Sequence, residues 1–129
     1  MDKSSILNIR IYYEDTDCGG VVYYANYLKY MERGRTEYLR ERGISITDWH
    51  KQNVYFAVVE TNVKYHAPAR YGDMLKIVTT LDKLSHASMI FRTEMYRDSV
   101  LLNTSMTRLA SVDNNMKPFR IPDVIIKKL

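Results

Sequence analysis

Ile9, Ile11 and Tyr13 alternate with Arg10 and Tyr12, the period of two that marks a half-buried strand. The period then changes. From about Tyr24 to Arg42, Tyr27, Met31, Gly34 and Tyr38 recur at helical spacing with Leu28 and Leu39 beside them, and Gly43 is a natural stop. Four strand-like runs follow, over Tyr55–Tyr65, Met74–Leu81, Ser88–Arg97 and Val100–Val112. In the third of these, Met89, Phe91, Thr93 and Met95 alternate with Ile90, Arg92, Glu94 and Tyr96. Arg97-Asp98-Ser99 reads as a tight hairpin turn into the last run. The segment after Asn115 contains Pro118 and Pro122, then Lys127 and Lys128, and reads as an edge segment or a loosely held tail. One long helix followed by successive strands with short connections predicts an α+β architecture, a helix packed on one antiparallel sheet.

Composition narrows the class. The chain has 129 residues, 46% of them hydrophobic, as expected of one globular domain. No stretch approaches the roughly 20 consecutive apolar residues of a membrane span, and the first ten residues lack the apolar core of a signal peptide. Cys18 is the one cysteine, which excludes an intrachain disulfide framework. Together these predict a soluble, cytoplasmic protein. The net charge is +4, but no run of four basic residues and no nucleic-acid motif occurs, so a nucleic-acid partner is not expected.

Candidate chemistry concentrates between Tyr13 and Arg35. Asp17 lies in the turn-prone stretch D-T-D-C-G-G, seven residues before Tyr24, where the helical pattern begins. Gly19 and Gly20 permit positive φ in that turn. A carboxylate near the free N–H groups of a helix start suits attack on a polarised carbonyl; the bland alternative is an aspartate bonding its own backbone. Cys18 has no histidine near it in sequence, and His50, His66 and His86 show no metal-ligand spacing. No phosphate-binding or dinucleotide glycine pattern is present. Neither a metal nor an organic cofactor is expected. Gly34 inside the helix costs about 1 kcal/mol relative to alanine, and a small residue there lets the helix lie close to a sheet.

The pattern D-x-D-x-x-G-V-V-Y-x-x-N-Y-x-x-Y-x-E from Asp15 to Glu32, with Y-x-x-P-A-x-Y-G-D from Tyr65 to Asp73, resembles the hotdog-fold acyl-CoA thioesterases. Within them it is similar to the 4-hydroxybenzoyl-CoA thioesterase family, most closely the YbgC-type branch associated with the Tol-Pal system. The resemblance implies a single hotdog domain over residues 1–129, with about five antiparallel strands wrapped around one long central helix. It implies homodimers formed by joining sheets, often paired into homotetramers. It makes Asp17 the catalytic nucleophile or general base and the backbone N–H at Tyr24 the donor to the carbonyl oxygen. Tyr13, Gly20, Val21, Val22, Asn26, Tyr27 and His66 are then expected around the acyl and pantetheine groups. The substrate is an acyl-CoA, with an acyl carrier protein as a possible partner.

One departure matters. Many YbgC-type sequences read V-Y-H where this chain reads Val22-Tyr23-Tyr24, and a phenol with a reference pKa near 10 is a poor base at neutral pH. Related sequences also often carry alanine at the place of Gly34. Asp15 and Asp73 are expected as turn residues, and Glu32 with Arg35 as a structural ion pair on one helix face. Lys64, Arg70 and Arg92 are possible ligands of the coenzyme A phosphates. Two other functions fit the scaffold: a 3-hydroxyacyl-thioester dehydratase, which the missing histidine disfavours, and a non-catalytic binder of acyl thioesters or acyl carrier protein.

Overall fold

The computed structural model describes residues 3–129. The first strand, β1 (Ser4–Arg10), is followed by a 3-10 turn (Tyr13–Asp15) and the long helix α1 (Asn26–Glu41). Then come a short helix α2 (Ile46–His50), the strands β2 (Tyr55–Tyr65), β3 (Met74–Leu84), β4 (Ser88–Arg97) and β5 (Val100–Val112), and a last turn of helix, α3 (Asp123–Ile126). The strands form one sheet in the order β1-β3-β4-β5-β2, and every neighbouring pair is antiparallel. The sheet wraps α1, which is the hotdog arrangement. Asp98 takes a left-handed φ of 54° in the expected β4–β5 turn.

Two apolar clusters fill the space between helix and sheet. One holds Tyr27, Tyr30 and Met31 of α1 against Ile9, Ile77, Met95 and Leu102. The other holds Tyr38 and Leu39 against Met89, Phe91 and Leu109. Gly34 lies between them in the helix. Beneath it Thr79, Thr93 and Ser105 stand side by side across β3, β4 and β5, all buried. A Cβ on Gly34 would overlap Thr79 Oγ1 and come within 3.2 Å of Ile77 Cγ2. The helix is therefore closest to the sheet where both surfaces carry small residues.

Several expectations need correction. The first strand ends at Arg10; Ile11 instead pairs with the turn before β3, donating to Asp73 O at 2.8 Å and accepting from Gly72 N at 2.9 Å. The helix proper starts at Asn26, with Tyr24 in the turn before it. Strand β3 continues past Leu81 to Leu84 through an irregularity between Leu81 and Lys83. Helix α2 carried no clear periodic signal; Ser45 caps it by accepting from Asp48 N at 3.4 Å. The tail is not loose. Val112 bridges Pro118 at the sheet edge, and Ile121 and Ile125 are wholly buried in the second cluster. Arg35 is buried without an ion pair among the described residues, while Glu32 accepts from Thr36 Oγ1 at 2.6 Å.

Candidate active site

The segment between β1 and α1 folds back on itself. Residues 15–17 run antiparallel to residues 21–23: Thr16 bridges Val22, Asp17 N donates to Val21 O at 2.9 Å, and Tyr23 N donates to Asp15 O at 3.0 Å. Gly20 closes the turn at φ +82°, a left-handed value that a side chain would strain, and its N–H donates to Asp17 O at 3.1 Å. Asn26, at the first turn of α1, reaches back with Nδ2 to Asp15 O at 3.1 Å. The loop is thus tied to the helix that it enters. A second tie joins it to the body of the protein, where Val22 N donates to Ala69 O at 2.8 Å and Val21 bridges Arg70.

Asp17 is exposed at the tip of this loop. Gly19 N donates to its Oδ1 at 2.8 Å, which fixes the side chain in an Asx turn. Among the described residues Oδ2 has no protein donor. The bland alternative therefore accounts for one oxygen of the carboxylate and leaves the other free. The N-cap of α1, Ala25, has no side-chain cap, and the backbone N–H of Tyr24 just before it meets no acceptor among the described residues. Exposed N–H groups of this kind are available to an oxygen that gains negative charge.

Beside the loop opens a cleft of about 300 Å³ lined by Val21, Val22, Tyr24, Tyr27, Tyr65, His66, Ala67 and Pro68. Five of the expected site residues meet there: Val21, Val22, Tyr24, Tyr27 and His66. Asp17 and Gly20 belong to the adjoining loop rather than to the wall. Asn26 is a framework residue through its bond to Asp15. Tyr13 stands apart, 79% exposed, with its ring edge-to-face with Tyr71 at 6.2 Å. Tyr65, Ala67 and Pro68 were not expected at the site; their signal was the Y-x-x-P-A motif itself. Tyr65 donates its hydroxyl to Tyr24 O at 3.1 Å and tilts its ring over Tyr27 at 5.7 Å, joining the end of β2 to the start of α1.

Tyrosine protons are held tightly here. Burial raises the Tyr27 pKa, and the bond its hydroxyl accepts from Ala69 N at 3.0 Å offsets only part of that. Burial first, then the neighbouring Asp15 carboxylate, pushes Tyr30 far above the usual phenol range. Tyr65 is raised by burial and by Tyr24. All three remain neutral at physiological pH; Tyr27 and Tyr65 serve as walls and hydrogen-bonding groups of the cleft, not as bases, while Tyr30 packs in the core. Cys18 is exposed with a free thiol. No group of His, Cys, Asp and Glu among the described residues could hold a metal ion, and no helix among them is long and apolar enough to cross a membrane.

Comparison with known proteins places this geometry in a family. Residues 19–103 match the thioesterase superfamily model of the 4HBT type. The acyl-CoA thioester hydrolase YbgC of Escherichia coli O6:H1 is 40% identical over 120 residues, covering 92% of this chain and 90% of that protein. The acyl-CoA thioesterase YbgC of Haemophilus influenzae is 36% identical over 124 residues, covering 95% and 91%. Among solved structures, a probable thioesterase from Bartonella henselae superposes with a TM-score of 0.88 at 30% identity, covering 92% of this chain and 99% of that one. The chain belongs to the 4HBT thioesterase superfamily, alongside the YbgC proteins.

Proposed function

We propose that the chain hydrolyses acyl-CoA thioesters to a free acid and coenzyme A, with Asp17 as the catalytic carboxylate and the Tyr24 N–H polarising the carbonyl. The observation that carries this is the division of labour in one loop: a carboxylate with one oxygen fixed and one free at its tip, and an uncapped helix start at its end. A thiol is a good leaving group, so the main requirement is stabilisation of charge on the carbonyl oxygen. Asp17 acts in one of two ways. As a general base it takes a proton from water while the water oxygen bonds to the carbonyl carbon; the tetrahedral intermediate then expels the thiolate, which takes up the proton. As a nucleophile its free oxygen displaces the thiolate to give a mixed anhydride, which water cleaves. The aromatic and alkyl walls of the cleft suit an apolar acyl group.

The same thioester presented by an acyl carrier protein fits this site equally well, and the basic net charge favours either polyanionic carrier. The exposed, unpaired thiol of Cys18 fits a reducing, cytoplasmic setting. Among the described residues strand β2 has β5 on one side and no strand on the other, while Val58 and Val59 are half exposed along it. Joining two β2 edges would give a homodimer with one continuous sheet, and pairs of dimers a homotetramer.

The test is thiol release from a panel of acyl-CoAs, short to long aliphatic and benzoyl types, by the parent and Asp17→Asn. A fall of about 10²–10⁴-fold in the variant, with the fold intact, is expected when a positioned base is lost. Equal release by both proteins would remove Asp17 from the chemistry. No release from any thioester by the folded parent would leave a binding role for the site.

A further inference from the structure

Thioester hydrolysis gives the Tyr24 N–H the task of meeting the carbonyl oxygen, so the direction of that N–H matters. It is set by the turn that leads into α1, and three groups of this turn are held. Tyr23 N donates to Asp15 O at 3.0 Å, and Asn26 N donates to Tyr23 O at 2.8 Å. In a trans peptide the N–H points away from the C=O of the same unit. A Tyr23 carbonyl turned in to Asn26 therefore leaves the Tyr24 N–H turned away from α1. The third group is Tyr24 O, on the other side of the same Cα. No backbone N–H among the described residues donates to it; the Tyr65 hydroxyl does, at 3.1 Å.

The first two ties are made within the loop and the helix start. The third comes from a residue 41 positions away, at the end of β2. The Tyr65 ring also tilts over Tyr27 at 5.7 Å, and both rings line the cleft. Tyr27 is itself fixed, since its hydroxyl accepts from Ala69 N at 3.0 Å and Ala69 O accepts from Val22 N at 2.8 Å. One side chain thus serves the two halves of the site: its ring is wall, and its hydroxyl holds the peptide that follows the donor. Burial and the neighbouring Tyr24 raise the Tyr65 pKa, so the hydroxyl keeps at neutral pH the proton that it donates. Tyr65 is 47% exposed, and a hydrogen bond this open to water adds little to folding. Its use lies in direction, because a donor acts only when it stands about 2.7–3.1 Å from the oxyanion.

We infer that Tyr65 is a positioning residue for thioester hydrolysis, whose hydroxyl, through Tyr24 O, aims the Tyr24 N–H at the oxygen on which charge develops. The inference rests on the thioesterase reading and on the Tyr24 donor, and not on Asp17.

The test compares the parent with Tyr65→Phe, which keeps the ring and removes the hydroxyl. Thiol release gives kcat and KM on the best acyl-CoA of the panel, and circular dichroism reads the fold. Two inhibitors separate positioning from packing. A thioether analogue of the substrate reports binding in the cleft. A trifluoromethyl ketone analogue takes up water or a carboxylate at its carbonyl carbon, and the oxygen of that tetrahedral adduct needs the donor. Expected for Tyr65→Phe are a kcat lower by about ten- to a hundredfold, less than the 10²–10³-fold cost of deleting a donor outright. KM and thioether affinity should stay within about twofold, and ketone affinity should fall by the same factor as kcat/KM. Tyr65→p-aminophenylalanine, which places an N–H donor where the O–H stood, should recover kcat; it also decides the matter should Tyr65→Phe fail to fold. A parent-like kcat in folded Tyr65→Phe, or a loss confined to KM and thioether affinity, would overturn the inference and leave Tyr65 as wall alone. An active Asp17→Asn chain would leave it untouched. A folded parent that releases no thiol from any thioester would overturn it together with the thioesterase reading, so the two failures are told apart by the parent.

Discussion

Replacing Gly34 by alanine tests how closely α1 lies on the sheet. In an exposed helix the change would stabilise by about 1 kcal/mol, the propensity difference between the two residues. Here the new Cβ meets Thr79 Oγ1 in overlap and Ile77 Cγ2 at 3.2 Å. Thr79 is wholly buried beside Thr93, so its two γ atoms have little room to move away. Overfilling a close-packed contact costs about 1–3 kcal/mol. The net for Gly34→Ala is therefore a loss of between about 0 and 2 kcal/mol. In a Thr79→Ala background the overlapping Oγ1 is gone and only the 3.2 Å approach of Ile77 Cγ2 remains, so the same change should stabilise by up to about 1 kcal/mol. The coupling between the two sites, about 1–3 kcal/mol, is fixed in sign even where the single effect is near zero. Urea unfolding of the four proteins at one protomer concentration measures it, since assembly also contributes to apparent stability. A Gly34→Ala effect that is equal in both backgrounds would refute the close-contact explanation and leave Gly34 as a mere imperfection of the helix.

Tyr27→Phe removes the acceptor of the buried Ala69 N–H and should cost about 1–3 kcal/mol; a melting temperature within error of the parent's would show that water replaces the hydroxyl. Asp15→Ala removes the carboxylate that accepts from Tyr12 N at 2.8 Å and should lower stability by about 0.5–2 kcal/mol, as loss of a capping side chain does; an unchanged thermal unfolding curve would take the Asp15 side chain out of the frame. Burial raises the pKa of Tyr27, Tyr30 and Tyr38, so the folded state keeps these phenols neutral beyond the pH at which the unfolded chain ionises. The unfolded chain then binds fewer protons than the folded one, and stability should be flat below about pH 10 and fall above it. Urea unfolding across that range with tyrosinate absorbance as a second signal would show the fall, and a stability that rises above pH 10 would contradict it.

Alternation made β4 legible, because every second residue from Met89 to Met95 meets the same helix; all four are buried. The helical face was legible at Tyr27, Met31, Gly34 and Tyr38 for the same reason. Tyr30 and Arg35 on that helix are buried as well, but their polar atoms mask them in a pattern of apolar positions. Of the two readings of the tail, the loosely held one fails because its prolines and lysines surround Ile121 and Ile125, which sit four apart and close the second cluster. The candidate site divides in the same way. Residues 17–27 form a continuous local structure, so their spacing in sequence is nearly their spacing in space. Tyr65, Ala67 and Pro68 are brought to the cleft by contacts between distant parts of the chain: Ala67 N donates to Leu102 O at 3.1 Å and Val22 N to Ala69 O at 2.8 Å. No local period reports a contact of that range.

The two aspartates of the D-x-D motif look equivalent in sequence and are not equivalent in the fold. Asp15 is a framework residue: its carboxylate Oδ2 accepts from Tyr12 N, and its carbonyl accepts from Tyr23 N and Asn26 Nδ2. These three bonds fix where α1 begins relative to the end of β1. Asp17, two residues on, lies beyond the last of those ties and bonds only within its own turn. The first aspartate is half-buried beside the helix start, whereas the second is exposed at the tip of the loop. The proposed catalytic role thus falls to the aspartate that solvent reaches, while the main chain of Asp15 is engaged in tying the loop to the helix.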